Sequence, residues 1–151
     1  MRGLTAILRD FAITLWAGGL WSVGYLAVPL LFSALADNRP LAGALAAKLF
    51  FGVGWVAIAC GGFLLLHQIF TFHAACFKRL VFWLILFMFL IALVMQFWMQ
   101  PFIVALRAAG APVDALSFPT RNFALWHGAS SALYLLESLL ALLLVVRSRR
   151  D

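Results

Sequence analysis

The sequence predicts an all-α integral membrane protein, a bundle of four transmembrane helices with both termini in the cytoplasm. Of its 151 residues, 66% are hydrophobic and only 11% are charged, and the mean hydropathy is +1.08. A soluble domain of this size could not cover its surface with so few charges. The apolar residues form four runs, each long enough for the roughly 20 residues that cross a bilayer. Lysine and arginine lie mainly at the ends of these runs.

The four runs form a single transmembrane domain over residues 1–151. We predict helices at about residues 8–35, 49–72, 80–110 and 123–146. Residues 41–48 are rich in alanine and predict an interfacial helical turn leading into the second helix. Pro101 lies inside the third run, and the helical pattern continues beyond it, which predicts a kink near Pro101. Ala34-Leu35-Ala36 resembles a cleavage site, but the first run is too long for a signal peptide, so we expect a retained helix.

Basic residues set the predicted orientation. Cytoplasmic loops of membrane proteins carry an excess of lysine and arginine. The two termini and the second loop carry seven such residues, and the first and third loops carry four. The former are Arg2, Arg9, Lys78, Arg79, Arg147, Arg149 and Arg150, and the latter are Arg39, Lys48, Arg107 and Arg121. The net charge of +6 therefore reflects membrane topology. We expect no nucleic acid partner.

The fourth run carries a polar stripe. His127, Ser130, Tyr134 and Glu137 are spaced three or four residues apart, which places them on one face of a helix. Glu137 is the only glutamate of the chain and lies near the middle of the run. An ionisable group at that depth is costly and points to a function. His127 and Glu137 lie about 15 Å apart along a helix and cannot share one small ligand directly.

Two interpretations of the stripe stay open. One is a proton path or polar ligand cavity that opens outward. The other is an interhelical clamp, in which Glu137 meets the first helix at Ser22 or Tyr25. Ser22, Tyr25 and Pro29 form the face of the first helix that we expect to meet this partner. Pro29 is expected to bend that helix and to free a carbonyl group near Tyr25.

A second candidate site is the predicted outer mouth of the third and fourth helices. It comprises Arg107, Arg121, Gln96 and Gln100, close to His127. A basic mouth with amide groups could attract an anion or a lipid headgroup. The alternative is a belt at the level of the headgroups without a specific ligand.

Cofactor sites have little support in the sequence. His67 and His73 lie near the cytoplasmic end of the second helix, and His127 lies near the outer end of the fourth. Histidines from different helices therefore do not share a level, as a bis-histidine haem would require. Met88, Met95 and Met99 share a face of the third helix, and thioethers suit Cu(I), although methionine is also ordinary packing.

No nucleophile, P-loop, dinucleotide or metalloprotease motif occurs. We predict no catalytic residues and no metal site, and the sequence favours a protein that is not an enzyme. No cofactor is expected, and a haem- or copper-binding membrane protein is the alternative.

Three segments resemble the bacterial four-helix membrane domain-of-unknown-function family 4149, which is similar to eukaryotic transmembrane protein 205. They are residues 15–35, 41–50 and 123–143, and their most specific parts are Trp16-Ala-Gly-Gly, Pro29 with Phe32, Ala42-Gly43 with Phe50, and His127 with Ser130 and Ser131. The resemblance covers nearly the whole chain. It implies the four-helix fold and a bacterial inner membrane location, and no mechanism, because the family has no assigned activity.

The chain is more distantly similar to the copper-resistance D-type domain and to the small four-helix protoporphyrinogen oxidases. Their first helix also carries a Trp-x-Gly-Gly-like segment leading to a proline. It has a haem histidine about two turns before the tryptophan, where this sequence reads Leu8-Arg9-Asp10.

We therefore expect a small multi-pass inner-membrane protein of unassigned activity. Its outward-facing polar cavity would take a small ligand, a proton or a lipid headgroup, or the protein would act within a membrane complex. The expected partners are the lipid bilayer and either a second copy of the chain or another membrane protein.

Overall fold

The computed structural model describes residues 3–108 and 123–149. Within these ranges the chain has four helices that are long and apolar enough to cross a membrane. Helix α1 spans Leu4–Ala34, α2 spans Arg39–Phe72, α3 spans residues 80–108 and α4 spans Phe123–Ser148. A 3₁₀ segment, His73–Lys78, connects α2 to α3. The described part of the chain is all-helical, as the sequence predicts.

The helices form a ring in chain order. Helix α1 packs against α2 and α4, and α3 packs against the same two helices. Arg9, near the start of α1, and Ser148, at the end of α4, line one cleft. The first and last helices are therefore antiparallel neighbours, in the up-and-down arrangement that short connections favour.

An apolar core fills the centre of the ring. Its largest fully buried side chains come from all four helices: Trp16 and Leu20 of α1, Leu64 of α2, Ile85 and Met88 of α3, and Leu144 of α4. Large apolar side chains also cover the outside of the bundle, where Phe70 is 74% exposed and Trp98 is 64% exposed. Lipid tails are as apolar as these side chains, so such a surface suits a bilayer.

Two helices contain a π-helical segment just before a proline. Ser22–Ala27 precedes Pro29 in α1, and Met95–Met99 precedes Pro101 in α3. Proline has no N–H group and its ring clashes with the carbonyl four residues earlier. The π turn instead bonds residues five apart: Val28 N–H donates to the carbonyl of Val23, and Gln100 N–H donates to that of Met95. Both helices thereby continue through their prolines.

Helix α2 begins earlier than residue 49. Its start is fixed by Asn38, whose side chain accepts a hydrogen bond from Leu41 N–H at 3.2 Å, and by Pro40 in the first turn. Residues 41–48, which we expected to form a separate interfacial turn, are therefore the first turns of α2. Ala42 and Ala46 are buried there. Small side chains let α2 approach the end of α1.

Candidate functional site

Glu137 lies inside the bundle, with only 3% of its surface exposed. Trp16, which is completely buried, donates a hydrogen bond from Nε1 to Glu137 Oε1 at 3.2 Å. The two residues lie on α1 and α4, so the bond crosses the interface between these helices. Trp16 shares its buried helix face with Ile13, Ala17 and Leu20, which recur at helical spacing.

Two further hydrogen bonds join the same helices. Trp21 Nε1 donates to the Ser138 carbonyl at 3.3 Å, and the Tyr134 hydroxyl donates to the Leu20 carbonyl at 2.6 Å. Helices in a bilayer gain nothing from hiding apolar surface from lipid, so polar contacts of this kind hold them together. This is the geometry of the interhelical clamp. The donors to α4 on α1 are tryptophans, and not the Ser22 or Tyr25 that we expected.

The Tyr134 ring packs against Gly24 of α1, in a space that we call the Tyr134 seat. A methyl group at Gly24 would collide with this ring, so only glycine leaves room for it. Tyr134 also packs edge to face against Tyr25 at 6.5 Å and Phe50 at 5.2 Å between ring centroids. Its hydroxyl is consequently held near the centre of the bundle, one helical turn from Glu137.

Glu137 and Tyr134 line a cavity of about 30 Å³. This volume admits one or two water molecules. The polar residues around it are Glu137, Tyr134, Gln96 and Gln100, and the remaining walls are mostly apolar. Gln96 and Gln100, which we placed at the outer mouth from the sequence, thus lie beside the same cavity as Glu137.

Gln96 is held in the cavity wall by α2. Its side chain is 5% exposed, and its Nε2 donates to the Phe51 carbonyl at 3.3 Å. A methyl group at Gly54 would collide with the Gln96 amide oxygen. The close approach of α2 and α3 at Gly54 therefore brings this amide inside the bundle.

The outer half of the polar stripe lies elsewhere. His127 is exposed and stacks on Phe123, with ring centroids 5.6 Å apart and an angle of 6° between the planes. Ser130 is buried, and its hydroxyl donates to the His127 carbonyl at 2.9 Å. Ser131 donates to the same carbonyl at 2.8 Å. Neither His127 nor Ser130 lines the cavity, so the stripe reaches it only at Tyr134 and Glu137.

Ser22, Tyr25 and Pro29 are all exposed. Ser22 and Tyr25 lie within the π-helical segment and Pro29 follows it, so they do not continue the buried α-helical face of α1. Arg107 belongs to α3, although the position of its side chain lies outside the description, and Arg121 lies outside the described residues. The structure therefore does not describe the basic part of the outer mouth.

The described residues contain no group of three or more His, Cys, Asp and Glu side chains that could hold a metal ion. Met88 is part of the apolar core, whereas Met95 lines the cavity beside Gln96. Cys60 and Cys76 are both buried as free thiols.

Sequence reasoning missed Trp16 and Trp21 as partners of α4. Tryptophan is common in membrane helices at the level of the headgroups, so its presence alone does not indicate a partner on another helix. The available signal was the position of Trp16 in the buried series with Ile13 and Leu20. A fully buried indole needs an acceptor for its N–H, and Glu137 is such an acceptor.

Comparison with known proteins identifies the family. No curated protein and no solved structure matches the sequence. The family described as domain of unknown function (DUF4149) matches residues 11–112. This segment contains Trp16, Gln96 and Gln100, whereas Tyr134 and Glu137 lie beyond it. Because the match covers more than half of the chain, the protein is a member of the DUF4149 family.

Proposed function

We propose that Glu137 binds and releases a proton through the cavity it shares with Tyr134, Gln96 and Gln100, and that this exchange alters the contact between α1 and α4. The observation that supports this proposal most directly is the position of the Glu137 carboxyl group. It is buried in the middle of α4, bonded to Trp16 of α1, and adjacent to space for water. The setting is a multi-pass protein of the bacterial inner membrane with both termini in the cytoplasm, as the basic residues favour.

The cavity offers partners to both protonation states of Glu137. A carboxylate only accepts hydrogen bonds, whereas a carboxylic acid also donates one. Water in the cavity can donate to the first state and accept from the second, and the Gln96 and Gln100 side chains lie on the wall of the same cavity. Among the described residues that line the cavity, Tyr134 is the other titratable one, and none is a lysine, arginine or histidine. A change in the charge of Glu137 would therefore be stabilised by water and neutral dipoles.

The size of the cavity supports a proton among the occupants that the sequence left open. A volume of about 30 Å³ is too small for a lipid headgroup or an organic ligand. A proton needs only a water molecule to carry it. The geometry therefore favours a proton over a larger ligand.

Infrared spectroscopy of the purified protein during a pH titration tests this proposal, because protonated and ionised carboxyl groups absorb separately. We expect a pH-dependent carboxyl signal that disappears in Glu137→Gln. The matched control is Asp37→Asn, which removes an exposed carboxyl from the loop before α2 and should leave this signal intact. Glu137→Gln should still fold, because its amide oxygen can accept the Trp16 hydrogen bond.

The proposal fails if no carboxyl signal that depends on Glu137 changes with pH while the protein stays folded. Glu137 would then be a fixed clamp between α1 and α4. A second readout is the part of the tryptophan fluorescence that Trp16→Phe removes, which should respond to pH in the parent protein and not in Glu137→Gln.

A further inference from the structure

A second polar site lies at the end of the bundle where α1 begins and α4 ends. Each of the four helices contributes one polar side chain to a small cleft: Arg9 from α1, Gln68 from α2, Arg79 from the start of α3 and Ser148 from α4. We propose that this cleft binds a phosphate group, carried by an anionic phospholipid or free in solution. The inference is independent of the proton exchange at Glu137.

Two arginines line the cleft and can donate to a phosphate. The planar guanidinium group matches the geometry of phosphate and donates to two of its oxygens at once. Arg79 lies over the Phe72 ring, with its guanidinium carbon 3.8 Å from the ring centroid, and this contact fixes its direction. Arg9 donates to Asp10 Oδ1 through Nε and one terminal nitrogen, at 3.0 and 2.8 Å. This pairing holds the Arg9 side chain in place, and within residues 3–108 and 123–149 its other terminal nitrogen has no hydrogen bond.

Gln68 gives independent support for a ligand. Its side chain is only 4% exposed, and its Oε1 has no hydrogen-bond partner among the described residues. A buried amide without a partner is costly and calls for an explanation. A half-turn of the amide exchanges its oxygen and its NH₂ group. Gln68 can then donate to a phosphate oxygen in the cleft.

The start of α3 adds partial positive charge. Arg79 is the N-cap residue of this helix, and its side chain makes no capping hydrogen bond to the N–H groups of the first turn. Such N–H groups and the helix dipole favour an anion. Val81, in that first turn, lines the cleft beside Arg79. Two arginines, a buried amide and a helix start therefore converge on one place.

The cleft holds about 10 Å³, which is space for one oxygen atom of water size. A phosphate would thus direct one oxygen inward and keep its other substituents outside, as the headgroup of a lipid at the membrane surface requires. In the proposed orientation this end faces the cytoplasm, where the leaflet carries anionic lipids.

The test measures the thermal unfolding midpoint of the full chain in detergent. Three additions are compared: short-chain phosphatidylglycerol, phosphatidylcholine with the same acyl chains, and inorganic phosphate against chloride at equal ionic strength. We expect a midpoint that rises with phosphatidylglycerol, and an apparent affinity that falls roughly tenfold or more in Arg79→Gln. A rise with inorganic phosphate that also depends on Arg79 supports the same site and identifies free phosphate as a ligand.

Lys78→Gln is the matched control, because it removes the same charge from an exposed neighbour outside the cleft. It should keep the affinity within about twofold. Gln68→Met preserves the size of the side chain and removes the amide, and it should weaken binding even if Arg79→Gln does not fold. The proposal is overturned if Lys78→Gln and Arg79→Gln weaken binding equally, if Gln68→Met binds as the parent does, or if neither phosphatidylglycerol nor phosphate raises the midpoint.

Discussion

The interface between α1 and α4 is built differently from the interface between α2 and α3. Three side-chain hydrogen bonds cross between α1 and α4, from Trp16, Trp21 and Tyr134. Among the described residues, one such bond joins α2 to α3, from Gln96 to the Phe51 carbonyl. The rest of that second interface is packing between apolar side chains and small residues.

The composition of the helices accounts for this difference. Helix α1 is the least apolar of the four and α3 is the most apolar. A helix as apolar as α3 is stable in lipid without polar partners, and close packing is enough to join it to α2. Helix α1 contributes donors that would be costly to leave without acceptors in the bilayer, and α4 supplies these acceptors. Polar groups thus determine where α1 packs, and shape determines where α3 packs.

Substitution of Gly24 by alanine should disturb the α1–α4 interface most. The new methyl group meets the Tyr134 ring, which is confined by Tyr25 and Phe50 and cannot move without losing its bond to Leu20. We expect a loss of roughly 1–3 kcal/mol in the free energy of unfolding. Titration with a denaturing detergent, followed by circular dichroism, measures it.

Gly18→Ala is the control for this change. It lies in the same helix, and a methyl group there meets nothing within 4 Å. Alanine should raise stability there by up to about 1 kcal/mol, because it favours the helix. Equal effects of the two substitutions would contradict the seat that we describe for Tyr134.

The Trp16–Glu137 bond should contribute less than this seat. Trp16→Phe keeps most of the buried ring and removes the N–H donor, and it should cost roughly 0.5–2 kcal/mol. A double-mutant cycle with Glu137→Met, which removes the acceptor and keeps a side chain of similar length, isolates the pair, for which we expect a coupling energy of about 0.6 kcal/mol or more. Trp98→Phe, on the lipid-facing surface, should change stability little. If the cycle shows no coupling energy, the Trp16–Glu137 bond does not help to hold α1 and α4 together.

The smallest effect is expected at the α2–α3 interface, for Gly54→Ala. The methyl group displaces the end of the flexible Gln96 side chain, which loses its bond to Phe51, while alanine favours the helix. These effects nearly cancel, and we expect a net loss of about 0–1 kcal/mol. Gly52→Ala meets nothing within 4 Å and should be stabilising. A loss at Gly54 as large as that at Gly24 would show that both interfaces depend equally on polar contacts.

The helical fold could be predicted because it depends on local properties. Each apolar run has the length of a bilayer crossing, and basic residues mark many of the ends. The start of α2 was harder to predict from the sequence. Asn38 and Pro40 are helix-start signals, but polar residues and a proline at this place are equally typical of a loop between two apolar runs.

The candidate site could be predicted only in part. Glu137 stands out in the sequence because a buried carboxyl is costly wherever it lies. Its partner does not, because Trp16 lies 121 residues away and the contact depends on how α1 is rotated against α4. The cavity that joins Glu137 to Gln96 likewise depends on the rotation of α3. Such rotations are set by packing between helices, which one sequence does not display.

The π-helical segment in α1 has a consequence for the comparison of relatives. It makes α1 a helix with two rotational phases, one carrying Trp16 and Leu20 and the other carrying Pro29. A relative with one residue fewer between Trp21 and Pro29 would have a continuous α-helix there. Its outer half would keep the same orientation relative to the inner half, because the π turn accommodates one extra residue within a single wider turn. A gap of one residue at this place in an alignment therefore marks the loss of the π turn, and not a different contact between the first and last helices.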